Sequence, residues 1–243
     1  MLTQQLTQQQ LTGKDPKGLI SLPDSLACKK DQLAHPQAVN ALLQLQSVAK
    51  KADQSFYVLS SYRSFEQQKS IWNRKYRGEL KVVDGNEAMV DMDSLKSLER
   101  IHAIMLYSAL PGASRHHWGC DFDIFPKAAM DSGYQPQLLQ SEFNNGGPAS
   151  SFNLWLTKAL KATEFFRPYQ TFQQGIAAEP WHISYRPIAE PALQQLTAAR
   201  LAKELEAELD LAGKDTICDN MTTLYQRFIS NIYTDTGIKG ESL

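Results

Sequence analysis

Two histidines and two aspartates crowd into the twelve residues Ser114–Phe125, "SRHHWGCDFDIF", of a 243-residue chain that has only five histidines. This cluster constrains the fold more than any other feature. Side chains alternate between the faces of a strand, so residues an odd number apart on one strand point opposite ways. His116 and Asp123 are seven apart. They meet only if the chain turns between them, and Trp118-Gly119 supplies a turn. The second half, "CDFDIF", alternates as a half-buried strand does. Two more polar segments adjoin short apolar runs: "SSYRSFEQQ" (60–68) after "FYVL", and "EPWHISY" (179–185). Three strand ends delivering these groups to one cleft would account for all of them.

Helical spacing fills the intervals. "PQAVNALLQLQSVAKKADQ", from Pro36, brings Val39, Leu42, Leu43, Leu45 and Val48 near one face. "SFEQQKSIWNRKYRGEL" predicts another helix with Ser64 as N-cap. Residues 92–109 predict a third, stopped by Pro111-Gly112, and 148–166 a fourth. Towards the C-terminus, "EPALQQLTAARLAKELEAELDLA" reads as one strong helix and "ICDNMTTLYQRFISNIY" as another. The expected organisation is a polar lead-in (1–24), an α+β core (25–190) and an appended C-terminal helical extension (191–243).

Net charge is −1, which gives no bulk attraction for nucleic acid or a charged membrane surface. No apolar run approaches the roughly 20 residues that span a bilayer. Cys28, Cys120 and Cys218 form no C-x-x-C pair, so neither a disulfide framework nor a cysteine-rich zinc knot is indicated. The Gln-rich start lacks the basic and apolar regions of a secretory signal. A cytoplasmic location is the expectation if the chain starts here, a periplasmic one if a leader has been removed.

A catalytic zinc site takes three protein ligands and leaves a position open. His116, Asp123 and His182 supply such a set, although Asp121 shares the parity of Asp123 and spacing alone does not choose between them. Glu179, three residues before His182 and fixed by Pro180, suits a general base. Arg63 can face a developing oxyanion. His117 reads as a structural neighbour of the site, His35 as a helix cap, and His102 and Cys120 as packing residues.

These residues resemble the zinc D-alanyl-D-alanine carboxypeptidases of the VanY/VanX type, within the LAS metallopeptidases. The pattern Ser-x-His-x-x-Gly-x-x-x-Asp falls on Ser114, His116, Gly119 and Asp123; Glu-Pro-Trp-His falls on 179–182; "SSYRSFEQQ" supplies Arg63 and Gln68. The resemblance covers roughly residues 25–190. It implies a small antiparallel sheet flanked by helices, as in the LAS/hedgehog-like folds, forming a cleft for one zinc ion. It also implies His116, Asp123 and His182 as ligands, Glu179 as base, Arg63 as transition-state stabiliser, and Ser114 and Gln68 as substrate contacts. The implied substrate is a peptidoglycan-type peptide ending in D-Ala-D-Ala. A D,D-dipeptidase, an L,D-carboxypeptidase or an L-Ala-D-Glu endopeptidase would use the same centre. The rival reading is a non-catalytic zinc module that binds a wall peptide or a protein, but such a module needs neither Glu179 nor Arg63. Asp121, where many relatives have alanine, and Ser61, where glycine is usual, depart from the pattern.

Overall fold

Aromatic and branched residues at 56–60, 121–126, 165–166 and 182–185 favour extended backbone, and in the computed structural model, which describes residues 6–233, they form one sheet. A short helix α1 (Gln8–Leu11) and a ribbon of β1 (Ile20–Ser21) with β2 (Leu33–Ala34) come first. Helix α2 (Pro36–Lys51), strand β3 (Phe56–Ser60), helix α3 (Phe65–Tyr76), helix α4 (Ser97–Met105) and strand β4 (Asp121–Pro126) follow. Then come α5 (Lys127–Asp131), α6 (Gln140–Phe143), α7 (Ser150–Ala159), β5 (Phe165–Phe166) and β6 (His182–Tyr185). Beyond the sheet lie α8 (Arg186–Gln195), α9 (Ala198–Glu206), α10 (Lys214–Asp219) and α11 (Met221–Leu224). The architecture is α+β, with an antiparallel sheet in the order β3-β4-β6-β5. No helix among the described residues is long and apolar enough to cross a membrane.

The helices expected from Pro36 and Ser64 occur with their predicted caps; of the helix expected over 92–109 only Ser97–Met105 is α-helical, after a 3₁₀ turn at Met92–Ser94, and the helix expected over 217–233 is interrupted at Asn220 between α10 and α11. His35 Nδ1 accepts from the Gln37 amide at 3.3 Å at the start of α2. Ser64 and Gln67 form a reciprocal capping box on α3, with bonds of 3.2 and 3.0 Å. Four further expectations differ. In α2 the buried face runs through Val39, Leu42, Leu45 and Ala49, while Val48 is 47% exposed. Strand β4 is buried at all six residues, not at alternate ones. Phe122 packs edge-on to Phe165, while the Asp121–Asp123–Phe125 face is closed by Arg115, His116, His182 and Phe143. Phe165 and Phe166, expected at the end of a helix, form the edge strand β5 opposite Tyr185 and Ser184. The single helix expected after residue 188 breaks at Leu196, which is buried in extended conformation; Thr197 then caps α9.

Two segments far apart in sequence, around Gly13–Lys14 and around Glu208–Ala212, pack against α3. The polar composition of residues 1–24 suggests a lead-in, yet Leu11 is fully buried and its carbonyl accepts from Trp118 Nε1 at 3.1 Å. Tyr62 donates its hydroxyl to the Gly13 carbonyl at 2.9 Å. On the far side, Trp72 Nε1 donates to the Ala212 carbonyl at 3.0 Å, and Asn73 bonds Asp210 and Ala212 at 2.8 Å each. Lys14 and Lys69 share Glu208, which ties the N-terminal segment to α3 and to the turn after α9.

Candidate active site

The sheet register brings two of the three expected ligands face to face. Asp123 on β4 lies directly opposite His182 on β6, so both side chains stand on one face. His116 arrives by a separate route. Residues Arg115–Trp118 form a single 3₁₀ turn, closed by Gly119 at φ +66°. That turn reverses the parity problem that a continuous strand would have. Gly119 is required twice over, because an added Cβ would stand 2.8 Å from Leu19 Cδ2 and 3.1 Å from the His35 nitrogen.

Three donor atoms, one each from His116, Asp123 and His182, lie within 4.8 Å of one another, and all three residues are buried. His116 Nδ1 donates to the Ser61 carbonyl at 3.0 Å, which turns Nε2 towards Asp123 Oδ2 at 3.3 Å. His182 Nε2 is held by Asp121 Oδ1 at 2.9 Å, leaving Nδ1 3.4 Å from Asp123 Oδ1. A tetrahedral ion with bonds of ~2.0–2.1 Å has ligand–ligand edges of roughly 3.3–3.4 Å. The two separations, one to each oxygen of Asp123, are of that size, and the donor types suit a zinc ion. Charge agrees. Burial opposes ionisation of Asp123, but His116 and His182 outweigh it and hold the carboxylate well below its ordinary range. Burial likewise opposes a charged His182, yet its bonds to Asp121, Asp123 and Glu179 drive that imidazole well upward. Three buried carboxylates around it call for positive charge at this point.

Asp121 is the answer to the ambiguity that spacing left. It shares a face with Asp123 but sits behind His182, also bonded to Arg115 Nε at 2.7 Å. Arg115 continues to Ser184 Oγ at 2.6 Å and lies over the Trp118 ring. A carboxylate behind a ligating imidazole fixes its tautomer and orientation. This Arg115–Asp121–His182 chain was not legible as a chain; only the extra acid in "CDFD" pointed to it.

Glu179 Oε2 lies 3.2 Å from His182 Nδ1, and burial raises its carboxyl above the ordinary range, against the opposing bond to His182. Arg63 shares a cavity of about 420 Å³ with Ser114, Glu179 and the three metal-ligand candidates. Burial lowers its guanidinium, while Asp123 and Glu179 act the other way. Its geometry is fixed by Gln68 Oε1 and Ser60 Oγ, each accepting at 2.9 Å. Ser60 in turn pairs with Asp123 beyond a bulge in β3. Gln68 is placed differently from the substrate contact expected of it. It is fully buried, off the cavity wall, and spans Arg63 and the Ala109 carbonyl (2.7 Å). His117 points away from the cluster, donating Nδ1–H to the Arg63 carbonyl at 2.6 Å and accepting from the Gly112 amide at 3.0 Å.

A buried carboxylate beside a two-imidazole, one-carboxylate donor set on an antiparallel sheet is the arrangement of a metal-dependent hydrolase. The particular family is VanY: residues 31–188 match it under the description D-alanyl-D-alanine carboxypeptidase, and the chain belongs to that family. An uncharacterised protein of Haemophilus influenzae (strain ATCC 51907 / DSM 11121 / KW20 / Rd) is 32% identical over 122 residues, 49% of this chain and 92% of that protein. The fold matches the LdcB LD-carboxypeptidase, solved for its peptidoglycan recognition, with a TM-score of 0.50 and 18% identity over 89% of this chain and 80% of that one. A vancomycin-resistance D,D-pentapeptidase VanY solved with Zn(II) gives 0.47 at 20% identity, over 72% of this chain and 86% of that one.

Proposed function

We propose that this chain is a zinc-dependent carboxypeptidase that removes the terminal D-alanine from peptidoglycan-type peptides ending in D-Ala-D-Ala. The observation that carries this reading is the buried Glu179 carboxylate 3.2 Å from a nitrogen of the donor triad, in one cavity with Arg63. His116, Asp123 and His182 would hold one zinc ion, which when bound supplies Lewis acidity to water and carbonyl. Glu179 takes the proton of the attacking water and returns it to the nitrogen of the leaving amino acid. Its raised carboxyl suits both transfers, since a base must also become an acid within one turnover. Arg63, preorganised by Gln68 and Ser60, stabilises the oxyanion; removing such a donor costs ~10²–10³ in rate. Ser114, on the cavity wall, is placed to hold the peptide.

The test is mass spectrometry of a muropeptide ending in D-Ala-D-Ala after incubation with zinc-loaded protein, with and without chelator. Loss of one alanine only in the presence of metal supports the reading. Cleavage at another bond keeps the chemistry and moves the assignment to a dipeptidase, an L,D-carboxypeptidase or an endopeptidase. Glu179→Ala should retain zinc and lose turnover by several orders of magnitude; full activity in that variant would sink the mechanism.

A further inference from the structure

An enzyme that cuts only the last residue must tell a free carboxylate from an amide. The partner for that carboxylate is a cation that faces the cleft and is not already committed to an acid of the protein. Four cationic side chains line the cavity: Arg63, Lys75, Lys81 and Arg115. Arg115 is spent on Asp121 and Ser184. Arg63 is held by Gln68 and Ser60 and lies in the field of Asp123 and Glu179. Lys81 is exposed, where water screens its charge. Lys75 is half-buried, and its Nζ donates to one neutral group, Ser108 Oγ, at 2.6 Å. None of the ion pairs among the described residues includes it.

Its place on α3 is also informative. Gln68, Ile71 and Lys75 follow one another at helical spacing on a single face. Gln68 anchors Arg63, Ile71 is an apolar part of the cavity wall, and Lys75 stands about 10 Å along the helix from Gln68. Ile104 of α4 adds to the apolar stretch. A guanidinium, an apolar patch and an ammonium in that order match an oxyanion, a small apolar side chain and a terminal carboxylate. Burial, then the charge of Arg63, lowers the Lys75 ammonium to about 8, against the smaller opposing effect of Glu179. This is the behaviour of a cation whose counter-charge has yet to arrive.

We propose that Lys75 receives the C-terminal carboxylate of the residue that is cleaved off, and so makes the enzyme an exopeptidase. This inference rests on the peptidase reading above. In zinc-loaded Glu179→Ala protein, calorimetry should show N-acetyl-D-Ala-D-Ala binding roughly 10–100-fold tighter than its C-terminal amide, the range expected for a charge-assisted hydrogen bond. Adding Lys75→Gln should abolish that preference through the acid alone, leaving amide binding unchanged. Adding Lys75→Arg should restore part of it, which a folding defect would not. In otherwise wild-type protein, Lys75→Gln should raise KM for the acid far more than it lowers kcat. If preference for the acid survives Lys75→Gln, the assignment falls and the peptidase reading stands. If the acid binds through Lys75 while wild-type protein cleaves no such peptide, the peptidase reading falls and the carboxylate site stands.

Discussion

Asp121 and Asp123 are chemically identical, share a face of one strand and do different work. Asp123 stands opposite His182 and next to His116, in position to ligate; Asp121 grips the remote nitrogen of His182. Removing the charge behind a ligating histidine typically costs 10–100-fold in metal affinity. Asp121→Asn should therefore weaken zinc binding by about that factor in competition with a chromophoric chelator; an unchanged affinity would show that the negative charge of Asp121 is not needed to tune His182. His117 gives a pH prediction. Burial, assisted by the charges of Arg63 and His116, lowers its imidazole to about 3 against the bond to the Arg63 carbonyl. An unfolded histidine titrates near ~6.5. Above that pH both states are neutral. As pH falls from about 6.5 towards 3, the unfolded chain takes up a proton that the folded one refuses, so stability declines. Thermal melts of metal-free protein should lose more between pH 7 and pH 4 in the wild type than in His117→Gln. Equal slopes would assign the acid sensitivity elsewhere.

At the scale of elements, the turn between Ser114 and Asp121 matters more than either flank. Its left-handed residue, Gly119, touches Leu19 and the backbone of His35, so the turn is wedged between the N-terminal segment and the start of α2. Gly119→Ala adds a strained conformation of ~1–2 kcal/mol and the clash with Leu19. The expected outcome is a lower melting temperature together with weaker zinc binding, because His116 rides on the same turn. A variant that melts lower but binds zinc normally would show that the turn stores the strain away from the ligand. Helix α3 was readable as a helix and in its cap, since spacing and the Ser64–Gln67 box are local signals. What it carries was read only in part. The motif marks both Arg63 and Gln68 as site residues, but Gln68 holds the arginine from behind, a distinction of depth that sequence does not encode.

At the scale of the whole molecule, the C-terminal helices form part of the core that supports the site. Leu201, Leu205, Ile217 and Leu224 are fully buried, and the loop between α9 and α10 accepts from Trp72 and Asn73 on the back of α3. A single buried leucine truncated to alanine costs ~2–5 kcal/mol. A chain ending at Pro191 loses four such residues and uncovers Trp72, and it should be largely unfolded by thermal melting and rapidly cut by protease. A cooperative transition at the full-length temperature would show that residues 191–243 are a separable extension, as composition suggests.

Local elements and a candidate set of site residues are legible in the residues alone. Periodicity, caps and the Trp118-Gly119 turn are set by interactions between near neighbours, and three spaced motifs, through the family they resemble, point to His116, Asp123, His182, Glu179 and Arg63 as candidate site residues. Tertiary structure decided that Asp121 sits behind His182, that β4 is buried on both faces, that Gln68 lies behind Arg63, and that segments around Lys14 and Glu208–Ala212 brace α3. These depend on strand register and on contacts between residues up to about two hundred positions apart, such as Lys14 with Glu208. Register and depth are properties of the packed chain, where a partner is chosen by geometry among many chemically equal candidates.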